Sequence, residues 1–230
     1  MLCIKDLSVE YAGGQAAVKR VSFQVASGES IALVGANGAG KTSLLLALVG
    51  VLPAKTGDIA IDDLTLNKKT LPDFRARIGL VFQNPDDQLF MANVFEDVAF
   101  GPRSFGYDEE QTKARVQNAL DQLQISHLRE RSPLKMSGGE KRLAAIATVL
   151  SMQPDYLLFD EPIAFLDPRA RRNLQAILQG LPQGKVIATH DLSFAAAICS
   201  RALVLKDGQI LADGGIDCLK DESLLENAGL

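Results

Sequence analysis

A glycine-rich segment in the first quarter of the chain has the composition and spacing of a phosphate-binding loop. Gly35–Thr42 reads GANGAGKT and matches G-x-x-x-x-G-K-[ST] at every required position. Glycines let the backbone curl so that successive N–H groups point at phosphate oxygens, and a following helix adds its positive end. Lys41 would supply a charge at the β- and γ-phosphates, and the Thr42 hydroxyl would ligate Mg²⁺. The segment predicts a nucleoside triphosphate site; a glycine-rich turn that matches by chance is the alternative.

A second group of chemically capable residues follows an apolar run. Tyr156–Glu161 reads YLLFDE, so a strand-like stretch ends in two adjacent carboxylates. Ligands of open parallel sheets bind at the carboxyl ends of the strands. Asp160 is therefore predicted to face the Mg²⁺ held by Thr42, and Glu161 to polarise an attacking water. A core strand that ends in two solvated acids is the alternative.

Short apolar segments predict the strands that must position these residues. Cys3–Tyr11 and Val21–Val25 alternate between apolar and polar residues, as half-buried strands do. Ser30–Val34, which runs into the phosphate loop, and Lys185–Thr189 are continuous apolar runs, typical of strands covered on both faces. Further strands are predicted at Ile59–Asp63, Arg77–Gln83 and Tyr156–Phe159, and Ala202–Leu211 is predicted as a hairpin around Asp207-Gly208.

Helical patterns fill most of the remaining chain. From Asn84 to about Met152 the signals are helical, and Val116, Leu120 and Leu123 share one face of a predicted helix. The predicted helices are Lys41–Val49, Glu109–Ile125, Gly138–Ser151 and Pro168–Leu181. We therefore predict a single mixed α/β domain, with a core of residues 1–83 and 152–230 and an inserted helical subdomain of residues 84–151.

Composition and charge exclude several classes of function. The chain has 230 residues, 47% of them hydrophobic, with 24 basic and 28 acidic residues. The longest uncharged apolar run, Leu44–Ala54, is too short to span a membrane. No basic run favours nucleic acid as a partner. Cys3, Cys199 and Cys218 lack the spacing of a zinc site or a disulfide framework. Charge from Lys5 onwards argues against a signal peptide, so the cytoplasm is the expected compartment.

A further motif gives the sequence a family resemblance. Lys135–Leu143 reads KMSGGEKRL, which is similar to the signature of ATP-binding-cassette (ABC) ATPases, usually written LSGGQ. The motif order also matches: phosphate loop, Gln83 at a strand end, signature, acidic strand, and then His190 in ATHD. The resemblance covers nearly the whole chain. It implies an α/β P-loop NTPase with a mixed sheet core, an antiparallel β lobe and an inserted helical subdomain.

The resemblance also implies individual roles. Tyr11 matches the aromatic residue that stacks on adenine; a strand-end core tyrosine is the alternative. Gln83 matches the glutamine that touches Mg²⁺ and the water. Glu161 matches the catalytic carboxylate, and His190 the histidine that senses the γ-phosphate, whereas His127 has no motif around it. The implied nucleotide-binding residues are Tyr11, Gly35, Ala36, Asn37, Gly38, Ala39, Gly40, Lys41, Thr42 and Ser43, and the implied Mg²⁺ ligands are Thr42, Gln83 and Asp160.

In this family two cassettes face each other head to tail, and the signature of one closes on the ATP held by the other. The phosphates of ATP are anionic, and a hydroxyl together with unpaired backbone N–H groups at the start of a helix can bind them. The residues implied for this contact are Ser137, Gly138, Gly139 and Glu140. Leu166-Asp167 match the end of the loop that crosses to the other subunit. A second ABC ATPase subunit is therefore an expected partner, with a homodimer favoured over a heterodimer.

One stretch resembles a particular subgroup. NPDDQLF, residues 84–90, and the SGGEKR form of the signature are similar to the energy-coupling-factor importers of cobalt, nickel and vitamins. Gln88, Leu89, Phe90 and Met91 are predicted to meet a cytoplasmic helix of a transmembrane subunit near residues 84–91; a capped helix start buried inside the domain is the alternative. Met136 and Glu140 depart mildly from the family pattern. Ile163-Ala164-Phe165 is bulkier than the usual sequence of its loop, and no long C-terminal regulatory domain is expected.

Taken with the resemblance, these residues predict an ATP-binding and ATP-hydrolysing subunit that powers an ABC-type importer at the cytoplasmic face of the membrane. ATP and Mg²⁺ are the expected ligands, and cobalt or nickel is favoured as cargo over a vitamin. A soluble ABC ATPase of DNA repair or translation would carry two cassettes or a long coiled coil, and neither is visible. A guanine-reading site is disfavoured because Asn67–Thr70, NKKT, lacks the required aspartate.

Overall fold

The computed structural model describes residues 1–230 and contains ten strands and eight α-helices. The strands are β1 (Leu2–Glu10), β2 (Ala16–Val25), β3 (Ser30–Val34), β4 (Ala54–Ile61), β5 (Leu64–Thr65), β6 (Ile78–Val81), β7 (Tyr156–Asp160), β8 (Gly184–Ala188), β9 (Arg201–Lys206) and β10 (Gln209–Gly215). The helices are α1 (Lys41–Leu48), α2 (Leu71–Arg77), α3 (Val94–Ser104), α4 (Glu109–Gln122), α5 (Gly138–Leu150), α6 (Pro168–Gly180), α7 (Leu192–Ile198) and α8 (Glu222–Ala228). None of these helices is both long and apolar enough to cross a membrane.

The strands form two sheets. A four-stranded sheet has the order β2-β1-β4-β5 and is antiparallel throughout. A six-stranded sheet has the order β10-β9-β3-β8-β7-β6, in which β3 runs parallel to β8 and β9, and β7 parallel to β8. Parallel strands covered on both faces read as continuous apolar runs, and β3, β7 and β8 are buried along almost their whole length. The predicted α/β architecture is confirmed.

The chain divides into two compact units. The first consists of Met1–Leu80, Asp155–Glu161 and Pro182–Leu230, and the second of Val81–Pro154 and Pro162–Leu181. The predicted helical insertion, residues 84–151, falls within the second unit. Helix α6 also belongs to that unit, although the sequence analysis placed it in the core. The reason is its packing against α5, so close that a Cβ added to Gly139 would lie 3.0 Å from the Cβ of Ala170.

Several element boundaries differ from the prediction. The proposed strand from Arg77 to Gln83 is shorter, because Arg77 ends α2 and only Ile78–Val81 is extended. Helix α2 was not predicted, although Pro72 in its first turn and Asp73 beside it are helix-start signals. The β9–β10 hairpin is confirmed, since Asp207 and Gly208 have φ of 49° and 79°, the left-handed values that a type I′ turn requires.

Candidate nucleotide site

The phosphate loop joins the carboxyl end of β3 to the start of α1, in the first unit. Two of its glycines are fixed by close approaches of the backbone. A Cβ on Gly35 would lie 2.4 Å from the carbonyl oxygen of Leu205, and one on Gly40 would lie 2.4 Å from that of Ala17. Gly40 also has φ of 104°, in the left-handed region that favours glycine. Any other residue at Gly35 or Gly40 would clash with these carbonyl oxygens and distort the loop.

Lys41 begins α1 and is buried, with only 8% of the residue exposed. Its Nζ donates to the carbonyl oxygen of Gly35 at 2.6 Å and to that of Ala36 at 3.2 Å. Burial lowers the pKa of Lys41, while the charges of Glu161 and Asp160 act in the opposite direction. The ammonium group is thus held over the loop by two neutral acceptors, which a triphosphate oxygen can replace with a charged one.

Thr42 and Asp160 meet as the sequence predicts. The Thr42 Oγ1 donates to Asp160 Oδ2 at 2.7 Å, and Asp160 ends β7 with 6% of its surface exposed. A hydroxyl and one carboxylate are hard oxygen ligands, and Mg²⁺ is usually held by one or two carboxylates together with substrate phosphates. The structure contains no cluster of three or more His, Cys, Asp or Glu side chains that could hold a metal unaided. The pair therefore fits a Mg²⁺ ion that arrives with a nucleotide.

Glu161 follows β7 in a strained backbone conformation. Its φ is 43°, in the left-handed region that a side chain other than glycine rarely adopts, and its N–H donates to the carbonyl of Ala188 at 2.9 Å. Oε2 accepts from Thr189 Oγ1 at 3.1 Å, and Oε1 lies 3.0 Å from His190 Nδ1. Both oxygens of this buried carboxylate are therefore held, and the strained turn directs it to one position.

Thr189 is a residue that the sequence analysis did not single out. It is fully buried at the end of β8, where its hydroxyl accepts from the Asp191 N–H at 3.1 Å and donates to Glu161. The available signal was a hydroxyl residue between an apolar strand and the predicted switch histidine. The His190 side chain itself is 67% exposed, so the imidazole is anchored at Nδ1 and otherwise open to solvent.

Tyr11 and Ser43 lie together. The Tyr11 hydroxyl is 2.7 Å from the Ser43 Oγ, which places the aromatic residue beside the first turn of α1. Tyr11 directly follows β1 and is 42% exposed. The alternative of a buried core tyrosine is therefore wrong. Half-exposed and tethered through its hydroxyl, Tyr11 leaves part of its ring free to contact a ligand.

Gln83 lies in the second unit and is exposed two residues beyond β6. Its carbonyl accepts from Arg142 Nη2 at 2.5 Å, and the carbonyl of Phe82 accepts from Nη1 at 2.6 Å. Arg142 is 1% exposed and belongs to α5, the helix that begins at the signature. The contact between Arg142 and these two carbonyls was not predicted, although an arginine directly before the apolar run LAAIATVL is a visible signal.

The signature residues form the start of α5. Ser137 is the N-cap: its Oγ accepts from the Glu140 N–H, and the Glu140 carboxylate accepts from the Ser137 N–H at 2.8 Å. They border a cavity of about 690 Å³ in the second unit, which is also lined by residues of α6 and by His127. His127, the histidine without a motif around it, is exposed and lies at the edge of this cavity.

The loop after Glu161 is unusual. Phe165 is 92% exposed and has φ of 62°, so a large aromatic side chain is held in a strained conformation in water. Asp167, two residues on, caps α6 by accepting from the N–H groups of Arg169 and Ala170. The bulky Ile163-Ala164-Phe165 segment therefore presents an apolar side chain rather than a hydroxyl.

In the predicted docking stretch, residues 88–91, only some of the side chains are exposed. Gln88 is turned inward, where its amide group donates to Ala145 and Thr148 and its oxygen accepts from the Phe82 N–H. Leu89 is also buried. The expectation that these two side chains are presented to a partner is wrong, because both complete the packing of the second unit. Phe90 is 63% exposed and stacks edge-on against Phe100, with 5.2 Å between ring centroids.

The first unit thus brings together one set of predicted residues, namely Tyr11, the loop Gly35–Ser43, Asp160, Glu161 and His190. The second unit carries Gln83 and the signature Ser137–Glu140. Each set is described within its own unit. The first has the groups that a triphosphate and Mg²⁺ require, and the second has an open helix start.

The chain is similar in sequence to a protein family and to individual known proteins. A family model described as ABC transporter matches residues 18–164. The chain is 41% identical to the energy-coupling factor transporter ATP-binding protein EcfA of Carboxydothermus hydrogenoformans, over 99% of this chain and 85% of that protein. It is 42% identical to the cobalt import ATP-binding protein CbiO of Rhodobacter capsulatus, over 100% of this chain and 84% of that protein.

A solved structure shows the same fold. CbiO1 from Clostridium perfringens, described as part of the ABC transporter complex cbiONQ, superimposes with a TM-score of 0.86 and 34% identity. The match covers 98% of this chain and 92% of that chain. The predicted fold, with its antiparallel and mixed sheets, is confirmed by this likeness.

Proposed function

Because this chain belongs to the ABC transporter family and is an ATP hydrolase of that family, we propose that it powers an energy-coupling-factor type importer of cobalt or nickel. The observation that carries the proposal is the pair of acids at the end of β7, one bonded to the Thr42 hydroxyl and the other held by Thr189 and His190. These are the groups that a phosphate-transferring site with a water-activating base requires, and they support the proposal.

In the proposed reaction, the phosphate loop and Lys41 hold the triphosphate by backbone N–H groups and one buried ammonium. Glu161 accepts the proton of a water that attacks the γ-phosphorus, and the bond to the β-phosphate oxygen breaks to release ADP. Mg²⁺, when bound beside Thr42 and Asp160, supplies positive charge against the β- and γ-phosphate oxygens. Gln83 is the proposed third ligand of that ion and a contact of the water. Tyr11 is proposed to stack on the adenine.

His190 has a chemically restricted role. Nδ1 lies at hydrogen-bond distance from the Glu161 carboxylate. An ionised carboxylate has no proton to donate, so Nδ1 must carry the N–H of this bond. A phosphate oxygen also only accepts, so a contact from Nε2 needs an N–H there as well. The two contacts can coexist only on an imidazolium ring, or Nδ1 must leave Glu161 when Nε2 donates to the γ-phosphate. We propose that this exchange is how His190 senses the nucleotide.

The signature residues are proposed to act on a nucleotide held by another copy. Ser137, Gly138, Gly139 and Glu140 begin α5 at an open cavity, and the backbone N–H groups of a helix start attract an anion. A homodimer with two active sites is favoured, because this one chain carries both the signature and the Glu161 site. The exposed Phe165 side chain would lose its contact with water in such a dimer.

A transmembrane subunit is the proposed partner of the face around Phe90 and Phe100. An exposed aromatic pair on the second unit fits an amphipathic helix laid across it. The chain would then sit at the cytoplasmic face of the membrane as a peripheral subunit. The similarity to a protein named for cobalt import supports a metal ion as cargo. Vitamin uptake by the same kind of importer, or a soluble non-transport ATPase, is the alternative.

The direct test is hydrolysis by the purified chain, followed by capture of membrane subunits. We expect ATP hydrolysis that requires Mg²⁺ and whose specific rate rises with protein concentration, because each site needs a second copy. Phe90→Glu should abolish co-purification with membrane subunits encoded beside this chain and leave hydrolysis by the purified chain intact. Co-purification with ribosomes or DNA instead of membrane proteins would contradict the importer proposal.

A further inference from the structure

The signature of this chain carries a negative charge where a neutral amide is usual in the family. Glu140 occupies the fourth position of SGGE, and one of its oxygens accepts from the Ser137 N–H at 2.8 Å. That N–H bond is the largest cause of a lowered pKa of Glu140; the charge of Arg131 acts in the same direction, and burial acts against both. The carboxylate is therefore ionised at neutral pH, at the helix end that is proposed to receive a phosphate.

An ionised carboxylate at this place works against anion binding. A helix start attracts anions through its N–H groups and positive dipole end, equivalent to about half a unit charge. A full negative charge in the first turn offsets that attraction. It also repels a triphosphate brought up by another subunit. The contact would gain from a nearby cation that neutralises Glu140.

Arg131 is placed to do this. Its Nη1 donates to Glu140 Oε1 at 3.0 Å, the oxygen that Ser137 does not use. The Arg131 backbone is held from both sides: its N–H donates to the Leu128 carbonyl, and its carbonyl accepts from the Val94 N–H that begins α3. The fold of the second unit thus holds the Arg131 backbone beside the helix start, and the half-exposed side chain reaches Glu140 from there.

We propose that Arg131 is a positioning residue that neutralises Glu140, so that the Ser137 end of α5 stays receptive to the triphosphate held by a second copy. The inference rests on the proposed role of the signature and adds a residue to it. Removing Arg131 leaves an uncompensated carboxylate beside the incoming phosphate. If position 140 is first made neutral, nothing remains for Arg131 to compensate.

A double-mutant cycle in the full chain tests this. Arg131→Ala in the natural background should raise the ATP concentration for half-maximal hydrolysis by about fivefold, the scale of a partly exposed charge pair, and more at low salt. In the Glu140→Gln background the same change should shift that concentration by less than about twofold. Arg131→Lys, which keeps the charge, should behave like the natural residue within about twofold.

Two outcomes would overturn the proposal. An equal shift in both backgrounds would mean that Arg131 supports the loop irrespective of charge, and no shift in either would mean that it has no part in the contact. If Arg131→Ala does not yield soluble protein, the comparison of Arg131→Gln with Arg131→Lys replaces it. Binding of a fluorescent ATP analogue to dilute, monomeric chain should be unchanged in all variants, because the monomer uses only its own phosphate loop.

The second unit offers a matched control. Arg103 pairs with Glu109 at 2.8 Å and also with Glu96, and none of these three residues lines the signature cavity. The cycle of Arg103→Ala with Glu109→Gln should show no coupling in the ATP dependence of hydrolysis. If the wild-type chain itself fails to hydrolyse ATP, the proposed function is wrong. If it hydrolyses ATP and only the Arg131 cycle lacks coupling, the present inference alone is wrong.

Discussion

The two units of the molecule hold the residues of their candidate sites in opposite ways. In the first unit, Lys41, Asp160 and Glu161 are each less than 10% exposed and have partners within the same unit. In the second unit, the start of α5 opens on a cavity and Phe165 is 92% exposed. The candidate site of the first unit is thus preorganised for a ligand, whereas the second unit presents its residues on an open surface.

Burial explains the difference. A charged group taken from water must find hydrogen bonds or an opposite charge, so the polar residues at the ends of β7 and β8 hold one another in fixed positions. The start of a helix can leave its N–H groups to solvent without such a cost. Variants in the first unit should therefore affect the chemical step or nucleotide binding. Variants at the signature should affect the dependence on a second copy.

The largest effect is expected from Glu161→Gln. The amide cannot take a proton from water, so hydrolysis should fall by about a hundredfold or more at saturating ATP. ATP binding should persist, and an ATP-bound dimer should accumulate. Phosphate release and light scattering with and without ATP measure the two effects.

A carboxylate at the opposite end of the same strand provides the control for Glu161. Asp155 immediately precedes β7 and is paired with Arg77 at 2.6 Å. Asp155→Asn should hydrolyse ATP at close to the natural rate. If Glu161→Gln hydrolyses ATP at the natural rate, Glu161 is not the catalytic base. The assignment of the chemical step to this carboxylate of the first unit would then be wrong.

A comparison of two buried lysines tests whether Lys41 binds the nucleotide or only contributes to stability. Lys41→Met should weaken ATP binding by about a hundredfold, because a charge-assisted contact of up to ~3 kcal/mol is lost. Lys185 is also buried, and burial lowers its pKa, but its Nζ donates to the Gln183 carbonyl. Lys185→Met should leave ATP affinity unchanged in calorimetric titrations. Equal losses in both variants would indicate that Lys41 acts through stability alone.

A smaller effect on the chemical step is expected from Thr189→Val. The change removes the hydroxyl that holds Glu161 Oε2 and keeps the shape of the side chain. We expect kcat to fall by about tenfold, with KM for ATP nearly constant, since ~1.4 kcal/mol of positioning is lost. Thr112 in the second unit is equally buried and its hydroxyl has no partner. Thr112→Val should not change kcat; a raised KM in Thr189→Val would point to nucleotide binding instead.

The last prediction concerns stability rather than function, at Asp97, a buried acid of the second unit. Its Oδ1 accepts from the N–H groups of Phe90 and Met91, while Oδ2 is buried without a partner. Burial raises the pKa of Asp97, against the lowering effect of the two N–H donors. The folded chain therefore binds this proton more readily than the unfolded chain, and stability falls as pH rises above the ordinary aspartate pKa of about 4.

Asp97→Asn should keep both hydrogen bonds from the N–H groups of Phe90 and Met91 and remove this pH dependence. Wild type should therefore lose stability relative to Asp97→Asn between about pH 4 and pH 7. Asp97→Ala should lower the free energy of unfolding by about 2 kcal/mol at pH 7, because two partly buried N–H groups lose their acceptor. Urea unfolding at both pH values measures the differences. A wild type that gains stability relative to Asp97→Asn as pH rises would contradict the assigned direction.

The predictability of the site differed between its parts. The loop Gly35–Thr42 and the acids after β7 are local motifs, since their chemistry follows from adjacent residues and a strand end. Thr189 and Arg142 were missed because their roles depend on partners distant in sequence, Glu161 and the carbonyls of Phe82 and Gln83. The inward turn of Gln88 was missed for the same reason, as its partners belong to α5.

The sequence by itself determined the family, the motif order and most of the elements, because glycine spacing, apolar runs and turn residues act over a few neighbouring positions. Only the tertiary structure decided which oxygens are held. It showed Glu161 in a strained turn between Thr189 and His190, Arg131 against Glu140, and Phe165 fully in water. Such contacts depend on how strands and helices distant in sequence pack, and local patterns do not encode that packing.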